Sequence, residues 1–365
     1  MKIICTQENL STGLDVVSRV ASKNVALPIL NNVLLSVKQG AVQLQTTNLE
    51  IAVTTTIRAK IEAEGSYTVQ AKLLNDFIHL VQGQRITVET TPAGLHVVSD
   101  ETETTIKGLP AEDFPLPPSS QEGTDVECDA ASMEAALQDV VFSASNDESR
   151  PEISGVYISL SEKEAIFAAT DSYRLSERRI QLPQRVSAAK QVIIPTRAAQ
   201  EVLRVLHGHS GSITFHVDEQ QVMWTVGDTQ IISRVIEGRY PEYDQIIPTQ
   251  HNTTATVQRQ ELLDAVKSAS LFCQPGVNDV ALHFLPEKKQ VQLVSENTQT
   301  GAFKGSVVGD IQGQGLTIIF NYRYVLEGVQ SLHGDTVTFQ LGDDQTSAIV
   351  KGTDNGFYLL MPIRQ

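Results

Sequence analysis

EGRYPEYDQIIP, residues 237–248, closes a strand-like segment with an aromatic, a proline, an acid and a second aromatic. KGLPAEDFPLPP, residues 107–118, closes an earlier segment in much the same way. A chain that writes one ending twice invites a search for repeats upstream of each ending. Three stretches answer it: TQENLSTGLDVVSRVAS (6–22), DAASMEAALQDVVFSAS (129–145) and QRQELLDAVKSASLFCQ (258–274). Each places its apolar residues at helical spacing. Leu10, Leu14, Val17 and Ala21 share one face, as do Met133, Ala136, Leu137, Val140, Val141 and Ala144, and Leu262, Val266 and Ala269.

Behind each helix comes a strand, a turn and a strand. The turns Lys38-Gln39-Gly40, Ser161-Glu162-Lys163 and Pro286-Glu287-Lys288 occupy matching places. A second helix follows in each copy: QAKLLNDFIHLVQG (70–83), PTRAAQEVLRVLHG (195–208) and FNYRYVLEGVQSLHG (320–334). All three run into glycine, a common helix stop. More strands lead to the endings Asp113-Phe114-Pro115, Arg239-Tyr240-Pro241 and, at the last residues, MPIRQ (361–365). The expected fold is α+β, with three copies of one domain and two helix-plus-strands halves in each. The expected domains are 1–122, 123–250 and 251–365, joined through PPSSQEGTD (117–125) and PTQHNT (248–253). The period is far longer than that of a solenoid.

The 365 residues carry a formal net charge of −15, which argues against a generic basic DNA-coating protein. No apolar run reaches the roughly 20 residues of a membrane span, and MKIICTQENLSTG does not read as a signal peptide, so a cytoplasmic protein is expected. Cys5, Cys128 and Cys273 are odd in number and widely spaced, which suits free thiols. Without a secretory signal, the sequon Asn9-Leu10-Ser11 carries no message.

Catalytic constellations are lacking. Asp171 and Arg174 offer no partner base and read as strand-end turn residues. His207-Gly208-His209 has no adjacent acid or thiol to complete a metal site. GDIQGQGL (309–316) fits neither the phosphate-loop nor the dinucleotide pattern. Neither an enzyme, a cofactor nor a metal is expected.

Six phrases then stand in one order: LPILNNVLL (27–35), KGLPAEDFP (107–115), SRPEISGVY (149–157), ATDSYRLS (169–176), EGRYPEY (237–243) and YLLMPIR (358–364). Together with the triplication they make the chain resemble the bacterial DNA sliding clamp, the beta subunit of DNA polymerase III, over its whole length. The resemblance implies two chains joined head to tail in a closed ring, with helices lining a hole and sheets outside. Duplex DNA passes through the hole. The DNA polymerase III alpha subunit, the clamp loader, other polymerases and repair proteins insert short apolar peptides into a pocket on the second and third domains. The alternative is a non-encircling multidomain scaffold of the same fold.

By position, the resemblance draws the pocket from Ile153, Thr170, Tyr173, Arg174 and Leu175 in the second domain. Pro241, Ile246 and Ser347 follow, and the tail adds Leu359, Met361, Pro362, Ile363 and Arg364. Arg174 and Thr170 are expected to orient the ligand. Tyr173 stands where many relatives carry His, and Gln365 replaces a more usual apolar residue. Lys23, Asn24, Arg197 and Arg204 are the expected DNA-facing residues, with Asn24 in place of the family's basic side chain. The expected dimer seam sets Phe77 and Val81 against Leu271 and Phe272. The family's ion pairs there are not matched, since Glu101 and Glu103 fall opposite the neighbourhood of Thr298 and Gln299.

Overall fold

Thr6 ends the first strand, Lys2–Thr6, and its hydroxyl accepts the Asn9 N–H at 3.2 Å, capping the first helix. This local switch from extended to helical backbone opens a computed structural model that describes residues 1–21, 26–117, 122–147, 149–186 and 188–364. Lys23, Asn24 and Gln365 lie outside the described residues.

Among the described residues the six α-helices are α1 (Gln7–Val17), α2 (Ala71–Leu80), α3 (Ala130–Val141), α4 (Thr196–Leu206), α5 (Arg259–Ser270) and α6 (Tyr322–Ser331). All fall where periodicity places them, and all stop short of the sequence-based ends. Gly83, Gly208 and Gly334, at φ of +116°, +76° and +98°, come two or three residues after α2, α4 and α6 have ended. They turn the chain into the next strand and do not themselves terminate the helix.

The chain groups into two compact units, residues 1–130 with 204–235 and residues 131–203 with 236–365. The division cuts through the central repeat. Strand pairing explains it: Thr229–Arg234 of the central repeat pairs with Ile51–Ile57 of the first, and Arg174–Gln181 pairs with Gly356–Leu360 of the third. Each half of the central repeat thus joins a neighbour's sheet, and every strand pairing described is antiparallel.

The first unit holds a five-stranded and a nine-stranded sheet. Leu10, Leu14 and Val17 of α1 pack on it with no exposed surface. Gly13 allows that approach, because a Cβ there would meet Ile57 at 2.4 Å and Leu44 at 2.9 Å. The hairpin at Lys38↔Ala41 closes through Gln39 and Gly40, both at positive φ, as a two-residue loop requires.

The second unit is built on one twelve-stranded sheet. Its long strand Gly301–Gly313 pairs with Gln290–Asn297 in its first part and with Thr253–Gln258 in its last. Leu262, Val266, Phe284, Phe339, Tyr358 and Leu360 belong to its main core. Ala168, Leu175, Ile193, Tyr240, Tyr243 and Leu359 form a second cluster.

The repeated endings now have a physical meaning. Tyr240 and Tyr243 are buried, and Tyr240 stacks on Tyr157 with ring centroids 4.6 Å apart. Phe114 of the earlier ending packs with Ile29 and Leu34. Each ending drops an aromatic plug into a small cluster, a burial worth about 2 kcal/mol for one such side chain.

Candidate peptide-binding site

The turn at residues 170–174 is written twice in the chain. Thr170 donates to the Arg174 carbonyl at 2.6 Å, and Thr47 donates to Ile51 at 3.0 Å. Asp171 Oδ1 accepts the Tyr173 and Arg174 N–H groups at 2.9 and 3.0 Å, while Asn48 Oδ1 accepts those of Glu50 and Ile51 at 3.0 and 2.8 Å. Ser172 and Leu49 both sit at φ +78°. Asp171 is therefore an Asx-turn residue, as its sequence context predicts. The two copies differ in what the turn displays: Glu50 in the first repeat and Tyr173, 64% exposed, in the second.

Beside this turn runs the chain's last strand. Leu175 pairs with Leu359 and Arg174 with Leu360, and the Tyr173 carbonyl accepts the Met361 N–H at 2.9 Å. Alternation along the strand sends Tyr358 and Leu360 into the main core and Leu359 into the second cluster. Met361 packs on that second cluster, half-buried. The tail continues with Pro362 buried, and the Ile363 N–H donates to the Ile319 carbonyl at 2.8 Å. Arg364 is exposed. Ser347 Oγ donates to the Ile246 carbonyl at 3.5 Å, Ile246 itself is 55% exposed, and Pro241 is exposed.

The surface is thus an apolar floor with an open rim. Leu175 and Leu359 form the floor and are closed to solvent, while Tyr173, Pro241, Ile246, Met361 and Ile363 offer accessible area. Ile153 is also fully buried, its carbonyl accepting the Ser145 N–H at 3.0 Å.

Two expectations need correction here. Thr170 and Arg174 do not present free donors to a ligand. The Thr170 hydroxyl is spent within its turn. Each guanidinium nitrogen of Arg174 is engaged: Nε with Asp171 at 3.0 Å, Nη2 with the Phe142 carbonyl at 2.7 Å, and Nη1 with Glu327. Its carbon lies 4.5 Å from the Tyr324 ring centroid and 5.3 Å from that of Phe142. Burial alone lowers the pKa of Arg174, but the hydrogen bond to Glu327 and the surrounding acids carry it above its ordinary value.

Sequence reasoning missed Arg150, although it lies in the phrase SRPEISGVY. Its Nη1 donates to Ser172 Oγ at 2.8 Å and its Nε is 3.5 Å from Glu152, which places it at the rim of the turn. Nothing in spacing marks Phe142, Tyr324 or Glu327, whose role appears only when α3 and α6 converge on Arg174.

The other expected sites divide. Arg197 is exposed. Arg204, expected to face DNA, donates instead to the Asp15 carbonyl at 3.3 Å and to that of Val16, the unpaired acceptors near the end of α1. Val81, expected at the dimer seam, is 8% exposed and belongs to the core. The free face of α2 carries Leu73, Phe77 and Leu80 at i, i+4, i+7 spacing, with Leu73 48% and Leu80 81% exposed. Leu271 is 74% exposed, while Phe272 stacks on Phe303 at 6.1 Å. Val308 adds to the apolar surface of that unit at 72% exposed. Glu103 is already held by His96 at 2.8 Å, and Gln299 donates its N–H to Asn297 at 2.8 Å.

Among the described residues, one group brings three potential metal ligands together: Asp139, His333 and Asp354. His333 Nε2 lies 3.0 Å from Asp139 and 3.9 Å from Asp354. Arg178 lies 3.7 Å from Asp139 and also contacts Asp354, so the two carboxylates already share a guanidinium.

Comparison with known proteins matches this architecture along the whole chain. Family models for the DNA polymerase III beta subunit match as its N-terminal domain at residues 1–118, its central domain at 127–242 and its C-terminal domain at 244–364. The chain belongs to the DNA polymerase III beta-subunit family. Within it, the beta sliding clamp of Synechocystis sp. is 31% identical, covering 100% of this chain and 99% of that protein. The beta sliding clamp of Staphylococcus aureus is 27% identical at the same coverage. Among solved structures, the sliding clamp of Bacillus subtilis superposes with a TM-score of 0.96 at 22% identity, covering 100% and 99% of the two chains. That of Bartonella birtlesii, bound to griselimycin, superposes at 0.94 with 28% identity and covers 100% of both chains. The fold is that of three clamp domains, each mixing helices with sheet.

Proposed function

We propose that this chain is the sliding clamp of its cell's replication machinery. It closes with a second copy into a head-to-tail ring around duplex DNA and tethers the replicative polymerase, so that synthesis is processive. The observation that carries this reading is the succession of three clamp domains over the full chain. Three domains of two halves each leave a ring to be completed by a homodimer. The exposed apolar stripe on α2 and the exposed apolar surface around Leu271 and Val308 suit opposite ends of such a seam.

The protein acts by topology and not by catalysis. Its working domains are 1–122, 123–250 and 251–365, and its place is the cytoplasm. A net charge of −15 suits a ring that slides, because many tight phosphate contacts would hold it in place. The surface at Tyr173, Ile246 and Met361 receives short apolar peptides of the DNA polymerase III alpha subunit, the clamp loader, other polymerases and repair proteins. Arg197 remains as a weak, sequence-independent phosphate contact.

The test is retention on DNA. Loaded protein stays on nicked circular duplex through gel filtration and is lost when the circle is linearised. Equal retention on both forms overturns encirclement and favours a non-encircling scaffold.

A further inference from the structure

Arg174 sits where four segments meet. Its side chain, 10% exposed, reaches the carbonyl of Phe142 just after α3, Asp171 in its own turn, and Glu327 on α6. Its backbone pairs with Leu360 on the last strand. The guanidinium lies between the Tyr324 and Phe142 rings, and Phe142 in turn packs on Tyr358 with centroids 5.9 Å apart. Two of these segments come from the central repeat and two from the third. Asp171 adds a side-chain hydrogen bond to Tyr324 on α6, while Tyr173 is exposed and Thr170 is closed within the turn, so Arg174 is the turn residue that joins α6 to the segment after α3.

We propose that Arg174 is a positioning residue for the peptide surface, an inference that rests on the peptide-binding reading above. It does not touch the peptide. It locks the 170–174 turn to α6, so that the Tyr173 carbonyl and the Met361 N–H keep their 2.9 Å hydrogen bond and the floor of Leu175, Leu359 and Met361 is formed before the ligand arrives. A preformed surface spares the ligand the cost of ordering it. The role needs a planar fork with two faces. Lysine supplies one compact charge and cannot engage three partners while stacked between rings.

Glu327 is the second handle on this device. Its side chain is 45% exposed and it stands on α6, away from the apolar floor. Glu327→Gln removes the charge that holds Arg174 while keeping the volume.

The experiment titrates a labelled peptide of the Gln-Leu-x-Leu-Phe type against the full chain and four variants: Arg174→Lys, Glu327→Gln, the double variant, and Val291→Ala as a control. Val291 is 1% exposed in the core of the same unit and lies on strand Gln290–Asn297, so its truncation lowers stability without reaching Arg174. Arg174→Lys weakens binding about tenfold and Glu327→Gln about threefold, and the double variant binds no worse than Arg174→Lys, since both changes break one coupled unit. Val291→Ala leaves affinity unchanged at a temperature where all variants are folded. Wild-type affinity in both single variants overturns the proposal, as does a loss of the same size in the control, or losses that multiply in the double variant. A wild-type chain that fails to bind the peptide instead refutes the peptide-binding reading itself.

Discussion

Leu175 stands opposite Leu359 in one antiparallel ladder, and both are shut from solvent. That ladder carries a sheet from the central repeat into the third. The same two residues floor the surface proposed to hold partner peptides, so the junction of repeats and the binding surface are one structure. Changes here divide into those that damage the junction and those that touch only its rim.

Tyr173 is on the rim. Tyr173→Ala leaves the unfolding free energy within about 0.5 kcal/mol, because the ring is exposed and its backbone contacts remain. The same change weakens peptide binding by about 2 kcal/mol if the ring is an anchor. Calorimetric titration beside denaturant unfolding separates the two. Removing residues 361–365 is a blunter probe, since it also strips the Ile363 hydrogen bond from Ile319 and the buried Pro362. The shortened chain loses stability as well as binding.

Helix α2 offers a paired test on its two faces. Val81→Ala, at its buried end, costs about 2 kcal/mol of stability. Leu73→Ser with Leu80→Ser leaves the unfolding midpoint nearly unchanged but, on the proposed seam, shifts the proposed dimer to monomer in sedimentation. A stable dimer in the double variant removes α2 from the seam.

The three thiols are inert in the folded chain. Burial pushes Cys5 up to about 11, Cys128 up to about 12 and Cys273 up to about 11, so little thiolate exists at neutral pH. A colorimetric disulfide reagent at pH 8 finds no fast-reacting thiol in native protein and three after denaturation. One fast thiol in the native state contradicts this packing.

Asp139 introduces a pH dependence. Burial raises its carboxyl above the ordinary range, against the lowering pull of His333 and Arg178. The folded state therefore binds this proton more tightly than the unfolded state, and the group's contribution to stability grows as pH falls from neutral toward the unfolded carboxyl value of about 4. Asp139→Asn removes this slope. Denaturant unfolding at pH 8 and pH 5 shows the wild type gaining on the variant at the lower pH, and parallel curves refute the assignment.

Gly328 lies under a ring. A Cβ at this position of α6 would fall 2.0 Å from Cε1 of Tyr358, which is buried in the core. Gly328→Ala gains helix propensity but loses about 1–3 kcal/mol to overpacking. A melting temperature at or above that of the wild type shows that α6 can lift without penalty.

The repeats, the six helices and the hairpin turns were legible because each follows from a local pattern: helical spacing, alternation and turn chemistry. The apolar tail at Leu359–Met361 was read through the resemblance as a pocket wall, and its packing as a strand against Arg174–Gln181 is what the structure adds. What local pattern could not supply was the destination of charged side chains. Arg174 and Arg204 read as available cations, yet both end on carbonyls of distant segments, Phe142 for one and Asp15 and Val16 for the other. Val81 and Leu80 are neighbours with opposite fates, one buried and one exposed, because α2 ends between them. The two-unit grouping was equally hidden, since it depends on which repeat each strand chooses as its partner.

That choice of partner also sets an order of events in time. The first unit has all its segments once Val235 has been made. The second cannot finish so early, because strand Arg174–Gln181 waits for Gly356–Leu360, almost the last residues of the chain. During synthesis the first unit therefore has all its segments about 120 residues before the strand that completes the sheet at Arg174–Gln181 is made.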